Sequence, residues 1–170
     1  MNNLNHIAFI MDGNGRWGNK KGKGRNFGHI NGVETVKKIV KSSIRIKIPY
    51  ITFFVFSSEN WKRPKNEINF LFKIIKKYFS KEIESIVTQK IKINIIGDIS
   101  KLSSDIKLIL KKVTARTKNN KKIFVNLAIN YGSKNEILNA VKKTKKKTIQ
   151  EKERNLYTKN IHDHEILIRR

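Results

Sequence analysis

His6-Ile7-Ala8-Phe9-Ile10-Met11-Asp12-Gly13-Asn14-Gly15-Arg16-Trp17 opens the chain with an apolar run that breaks into a carboxylate, two glycines and an arginine. This is the pattern of a buried strand ending in a loop whose backbone amides can approach an anion closely. The same break recurs downstream, where Ile51-Thr52-Phe53-Phe54-Val55-Phe56 gives way to Ser57-Ser58-Glu59-Asn60-Trp61-Lys62-Arg63-Pro64. Two such strands deliver carboxylate, amide, indole and guanidinium groups to one edge of a parallel sheet, where open α/β folds place their ligands. The fold class that follows is α/β, a single-domain parallel sheet flanked by helices in Rossmann-like layers, spanning residues 1–170.

Outward from the first motif, Lys20-Lys21-Gly22-Lys23-Gly24-Arg25-Asn26-Phe27-Gly28-His29 reads as a basic, glycine-mobile loop able to close over an anion. Val33, Val36, Val40 and Ile44 recur at helical spacing, and Pro49 ends that helix before the second strand. A second helix is expected to begin near Pro64, with Glu67 in its first turn opposing the dipole. Its stripe comprises Ile68, Leu71, Phe72, Ile75, Phe79, Ile83 and Ile86. Further strands are expected over Ile91–Ile96 and Ile123–Ile129, with a helix carried by Ile106, Ile109, Leu110 and Val113 between them. Ser133 and Glu136 have capping-box spacing ahead of Ile137, Ala140 and Val141, and that helix dissolves into a lysine-rich linker, Lys142 to Lys147. Glu165-Ile166-Leu167-Ile168-Arg169-Arg170 reads as a last strand.

Composition narrows the classes. At 170 residues, one domain can bury about 70% of the surface of its unfolded form. The absence of cysteine excludes a disulfide framework and thiolate metal sites and suits a reducing cytoplasm. No signal pattern and no apolar run near the ~18 residues of a membrane span are found, so the expected location is cytoplasmic, with membrane contact at most peripheral. The formal net charge is +25, from 38 Lys and Arg against 13 Asp and Glu. A polyanion partner is the ordinary inference from such a charge. Here the excess is spread along the chain as lysine, beside heavy use of Ile and Asn, which fits compositional drift better; no nucleic-acid partner is expected. A basic, non-enzymatic protein binding nucleic acid or anionic lipid is the alternative reading. A nucleotide-binding α/β protein is disfavoured because no Gly-x-x-x-x-Gly-Lys-Ser/Thr loop is present.

The polar residues admit two readings each. Asp12 beside two glycines is either a turn residue bonding its own backbone or the ligand of a hard divalent cation such as Mg²⁺. In the second case Gly13, Asn14, Gly15 and Arg16 cradle phosphates, with Arg16 and Arg25 adding charge-assisted bonds. Asn60, Trp61 and Arg63 are either a cap, a core-edge indole and a solvated charge, or part of the same site. His29 is either a satisfied loop histidine or a ligand group. His162-Asp163-His164 is assigned no site. The Ile68 to Ile86 stripe is core, with one side available to line an apolar groove.

Residues 6–17, with Gly28-His29 and Phe56-Ser57-Ser58-Glu59-Asn60-Trp61-x-Arg63-Pro64, closely resemble the cis-prenyltransferases, and the bacterial undecaprenyl diphosphate synthases in particular. Ile96-Gly97-Asp98 and Asn126-Leu127-Ala128-Ile129-Asn130-Tyr131-Gly132 extend the likeness over essentially the whole chain. The resemblance implies Mg²⁺-dependent condensation of isopentenyl diphosphate with farnesyl diphosphate, forming cis double bonds and a long undecaprenyl chain for a cell-wall lipid carrier. It implies a homodimer as well. Carried over by position, Asp12 binds metal and assists diphosphate departure. Gly13, Asn14, Gly15, Arg16, Trp17, Arg25 and His29 hold the allylic substrate. Ser57, Ser58, Glu59, Trp61 and Arg63 complete the substrate sites, and Arg169 matches the first arginine of the isopentenyl site. Asn60 matches the residue assigned to proton removal, although an amide is a poor base and is better suited to positioning. The family pattern continues past the strand resembling Glu165–Arg169 into Arg-x-Ser-Asn, a further strand, and a glutamate that shares the metal and reaches the partner subunit. Against that pattern the chain reads as C-terminally incomplete, its last strand and helices missing, a truncation that would cost it its activity.

Overall fold

A computed structural model of the chain describes residues 4–145, 148–159 and 161–169. Its strands are β1 (His6–Ile10), β2 (Tyr50–Ser57), β3 (Ile91–Ile96), β4 (Ile123–Tyr131) and β5 (Ile166–Arg169). Every pairing is parallel, in the order β3-β4-β2-β1-β5. Crossover helices α1 (Asn14–Lys20) and α2 (Gly24–Arg45) join β1 to β2, α3 (Lys65–Thr88) joins β2 to β3, and α4 (Ser104–Thr117) joins β3 to β4. The shorter α5 (Ser133–Lys143) and α6 (Ile149–Arg154) lie between β4 and β5. From β1 the chain runs to β2 on one side and returns to β5 on the other. The direction of winding therefore reverses beside β1, and the crevice beyond its carboxyl end is where such sheets bind ligands.

The β-branched and aromatic runs of β2 and β4 make the sheet's centre, where Ile51, Phe53 and Ile123 are fully buried. Phe79, Ile83 and Ile86 of α3 and Leu110 and Val113 of α4 pack into the same core. On another part of the sheet a polar ladder crosses four strands. The carbonyl of His162 can only accept, so the Nδ1 of His6 carries the hydrogen of that bond. His6 Nε2 then accepts from the Thr52 hydroxyl, and Asn126 donates to Thr52 at 3.1 Å and accepts from Asn94 at 2.9 Å. A satisfied ladder of this kind penalises register slips, since each would strand a buried polar group.

Three expectations are corrected. Residues 20–29 are not a mobile loop: only 21–23 lie between α1 and α2, Gly22 and Gly24 turn the chain at positive φ with open space around them, and Gly28, like Gly18 before the segment, serves close packing. A methyl group on Gly28 would strike the Asn14 carbonyl, and one on Gly18 would strike Gly24. Ser133 and Glu136 form no capping box, because Gly132 occupies the cap and Glu136 is buried. Its carboxylate instead accepts from Tyr131 Oη at 2.7 Å and from the Thr158 amide and hydroxyl at 2.9 and 3.1 Å. The lysine-rich stretch is helical through Lys143 and is followed by α6, capped by Thr148; Lys146 and Lys147 lie outside the described residues, as does Arg170. Among the described residues no helix is long and apolar enough to cross a membrane.

Candidate active site

Beyond Ile10 the chain turns at Gly13, whose φ of +78° lies in the left-handed region that glycine adopts without strain. Asp12 is thereby held at the sheet edge. Its Oδ1 accepts from the Gly13 amide at 2.7 Å, and its Oδ2 lies 3.4 Å from both Arg16 and Arg169. The Gly13 N–H, seconded by the two guanidiniums, holds the Asp12 carboxyl below the usual range. The carboxylate thus bonds its own backbone, as the turn reading has it, and also lines an open hollow.

That hollow is lined by Asp12, Gly13, Gly15, Arg16, Arg25, His29 and Arg63, together with Met11 and Asn14. It shares Met11, Asp12, Asn14, His29 and Arg63 with a larger cleft of about 460 Å³. The cleft's walls come from Val33 and Val36 of α2 and from Leu71, Ile74 and Ile75 of α3, and its floor from Ile10, Phe54 and Val55. Ser57, Glu59, Asn60 and Arg169 stand at its polar end with Asp12 and His29. An apolar trough that ends in a cluster of guanidiniums can take an amphiphile with an anionic head. Register shifts between Phe54 and Ser57 in the β2–β4 pairing mark the end of β2, the kind of irregularity that re-aims side chains next to a site.

A short 3₁₀ turn, Ser58–Lys62, follows β2, and a capping box fixes Asn60: its carbonyl accepts from the Ser57 amide at 3.1 Å while the Ser57 hydroxyl takes the Asn60 amide. The stripe expected along α3 divides: Ile68, Phe79, Ile83 and Ile86 are core, whereas Leu71 and Ile75 line the cleft beside Ile74, which lies off that stripe.

Three residues singled out in the sequence line neither hollow nor cleft. Trp17 stacks on Phe27 with ring centres 5.7 Å apart. Ser58 abuts Gly132. Trp61 leans on Phe56 and Phe72 and donates through its indole to Asn130 at 2.7 Å.

One residue of the site had been read only as a helix-dipole partner. Glu67, its side chain 9% exposed, accepts from Arg25 at 3.0 and 2.9 Å and from Arg63 at 3.1 Å, and lies 3.3 Å from His29 Nε2. The Arg25 guanidinium chiefly holds the Glu67 carboxyl below its ordinary range. Burial lowers the proton affinity of His29, and Glu67 partly offsets it. The available signal was the arginine four residues before Glu67, an i,i+4 spacing that pairs side chains at a helix start.

Among the described residues no group of three or more His, Cys, Asp or Glu could hold a metal ion. Asp12 offers a single carboxylate beside a phosphate-sized hollow. This donor set fits Mg²⁺, which commonly takes one or two carboxylates and completes its shell with substrate phosphates and water.

A prenyltransferase family model described as undecaprenyl diphosphate synthase matches residues 10–170. The chain is 46% identical to an isoprenyl transferase of Prochlorococcus marinus over 96% of its own length and 64% of that protein's. To an isoprenyl transferase of Clostridium tetani it is 42% identical, over 96% of its length and 69% of that protein's. It therefore spans about two thirds of these curated relatives. The solved structure of lavandulyl diphosphate synthase from Lavandula x intermedia, in complex with dimethylallyl diphosphate, superposes with a TM-score of 0.89 at 27% identity, covering 98% of this chain and 77% of that one.

Proposed function

The chain belongs to the undecaprenyl diphosphate synthase family of prenyltransferases, and from that premise we propose that it joins isopentenyl diphosphate to an allylic diphosphate, farnesyl diphosphate, to build a long cis-polyprenyl diphosphate. The observation that supports this most directly is that the apolar cleft shares Asp12, His29 and Arg63 with the hollow that Arg16 and Arg25 also line. The hollow takes the diphosphate and the cleft takes the prenyl chain.

Breaking the allylic C–O bond develops negative charge on the leaving diphosphate. Guanidiniums already aimed at that position stabilise it without reorganising during the reaction. Arg16, Arg25 and Arg63 supply the positive charge that meets it, with Gly13, Asn14 and Gly15 shaping the hollow. Asp12 would hold Mg²⁺, which when bound neutralises diphosphate charge as a Lewis acid. Ser57, Glu59 and Arg169 border the place where isopentenyl diphosphate enters. Asn60, its carbonyl committed to Ser57, orients substrate and does not take the proton lost on condensation. Trp17, Ser58 and Trp61 act on the site through the elements they brace. An undecaprenyl product, a role in cell-wall lipid carriage, a homodimer and peripheral contact with the membrane that receives so apolar a product complete the reading.

The test is incorporation of labelled isopentenyl diphosphate into chloroform-soluble product in the presence of farnesyl diphosphate and Mg²⁺, with product length read by chromatography. Labelled polyprenyl product that disappears in Asp12→Ala is the expected result. No product, together with farnesyl diphosphate binding that is unchanged in Asp12→Ala, overturns the reading and leaves a basic polyanion-binding protein on the same fold.

A further inference from the structure

Two guanidiniums and an imidazole from two segments, the start of α2 and the approach to α3, converge on one carboxylate. Arg25, His29 and Arg63 all line the hollow, but Glu67, which all three contact, does not. It stands behind them in the first turn of α3. Arg25 is the most tightly held: its Nε and Nη2 engage the two carboxylate oxygens as a fork, the arrangement that fixes a guanidinium plane as well as its charge. Gly15 lies directly against that plane, so the fork also sets how closely the Asp12–Arg16 loop packs on Arg25.

By charge alone, a carboxylate beside an anion site weakens binding. Without it the Arg25 and Arg63 guanidiniums, crowded beside His29, would repel one another and swing toward water, and each would then lose rotamer freedom on meeting a ligand. We infer that Glu67 is a positioning residue for diphosphate binding, holding Arg25, His29 and Arg63 toward the Asp12–Arg16 loop, so that removing its charge weakens anion binding instead of strengthening it. This rests on the reading of the hollow as a diphosphate site.

A second consequence concerns His29. A carboxylate only accepts, so the Nε2 that faces Glu67 carries a hydrogen, and Nδ1 is the ring atom left for a ligand. Nδ1 donates to a phosphate only when the ring is protonated. Glu67 favours that state, while burial and the neighbouring Arg25 and Arg63 oppose it; Asp12 and Arg16 line the same hollow.

The experiment titrates the whole chain with inorganic diphosphate and Mg²⁺ by calorimetry between pH 5.5 and 8. Glu67→Gln keeps the side chain's shape and removes its charge. Its affinity is expected to fall about tenfold, and the pH below which binding tightens to move down by roughly one unit, the scale of one close charge. A folded Glu67→Gln chain that binds diphosphate as tightly as the parent, or more tightly, overturns the inference. Should that variant not fold, Arg25→Lys preserves charge and breaks the fork; a loss of fivefold or more supports the inference, and parental affinity overturns it. A parent chain that does not bind diphosphate at all removes the reading of the hollow, and the inference with it.

Discussion

Asp12 and Arg169 meet at 3.4 Å across 157 residues of sequence, at the carboxyl ends of the neighbouring strands β1 and β5. Arg169 is largely exposed, and a solvent-facing pair of this length contributes at most about 1 kcal/mol to stability. Its consequence is for binding. Arg169→Ala should shift the urea midpoint very little while lowering diphosphate affinity several-fold. Asp12→Ala should remove the Mg²⁺-dependent part of that affinity. Calorimetry with and without Mg²⁺ separates the two, and an Arg169→Ala chain that unfolds instead would assign the pair to the scaffold.

The cleft makes a prediction of a different kind. Ile75→Trp adds bulk to its α3 wall at a distance from the guanidiniums. Inorganic diphosphate affinity should stay within about twofold, whereas farnesyl diphosphate affinity should fall at least tenfold, or the products shorten. Fluorescence titration with both ligands distinguishes this from a general loss of fold.

Acid should loosen the molecule through His6. Burial pushes its proton affinity below the ordinary histidine value of 6.5, so the unfolded chain takes up the proton first. Stability is therefore complete above about pH 6.5 and falls as the pH drops below it, by at most about 1.4 kcal/mol per pH unit for this group, until folded His6 also protonates. His29, lowered in the same direction, adds to the slope. Urea midpoints measured from pH 8 to 5 should decline, and His6→Gln should flatten the decline while costing about 1–3 kcal/mol from the broken ladder.

The α1–α2 junction is predicted to be the least forgiving surface. Gly28→Ala, which drives a methyl into the Asn14 carbonyl, should cost about 2–3 kcal/mol in urea denaturation. Gly22→Ala, with nothing within 4 Å, meets no such obstacle and pays only for its positive φ of 68°. Equal costs for the two would remove close packing as the reason for Gly28.

Much of this architecture was legible in the residues. The runs in β1, β2, β3 and β4 are apolar because both faces of a parallel sheet are covered, and the break at the end of each of the first two marked the two halves of the site. What was not legible was tertiary. Gly28 read as mobility because a glycine's local effect is freedom, yet here it admits the backbone of another helix, as Gly18 does. Glu67 satisfies a helix dipole well enough to need no further explanation, until the fold brings Arg25 to it from 42 residues away. Glu136 and Ser133 have the right spacing for a cap, but a cap needs the serine outside the helix, and Gly132 stands there instead.

The pairing of β1 with β5 also has a kinetic consequence. It joins residues 7–10 to 166–169, the widest separation of any strand pair in the sheet, and loop closure over such a span is entropically slower than the others. The four strands β3-β4-β2-β1 can zip first and bury their shared face. By the same entropy Arg169 is expected to be the last of the guanidiniums to reach Asp12, which Arg16 already meets from four residues away.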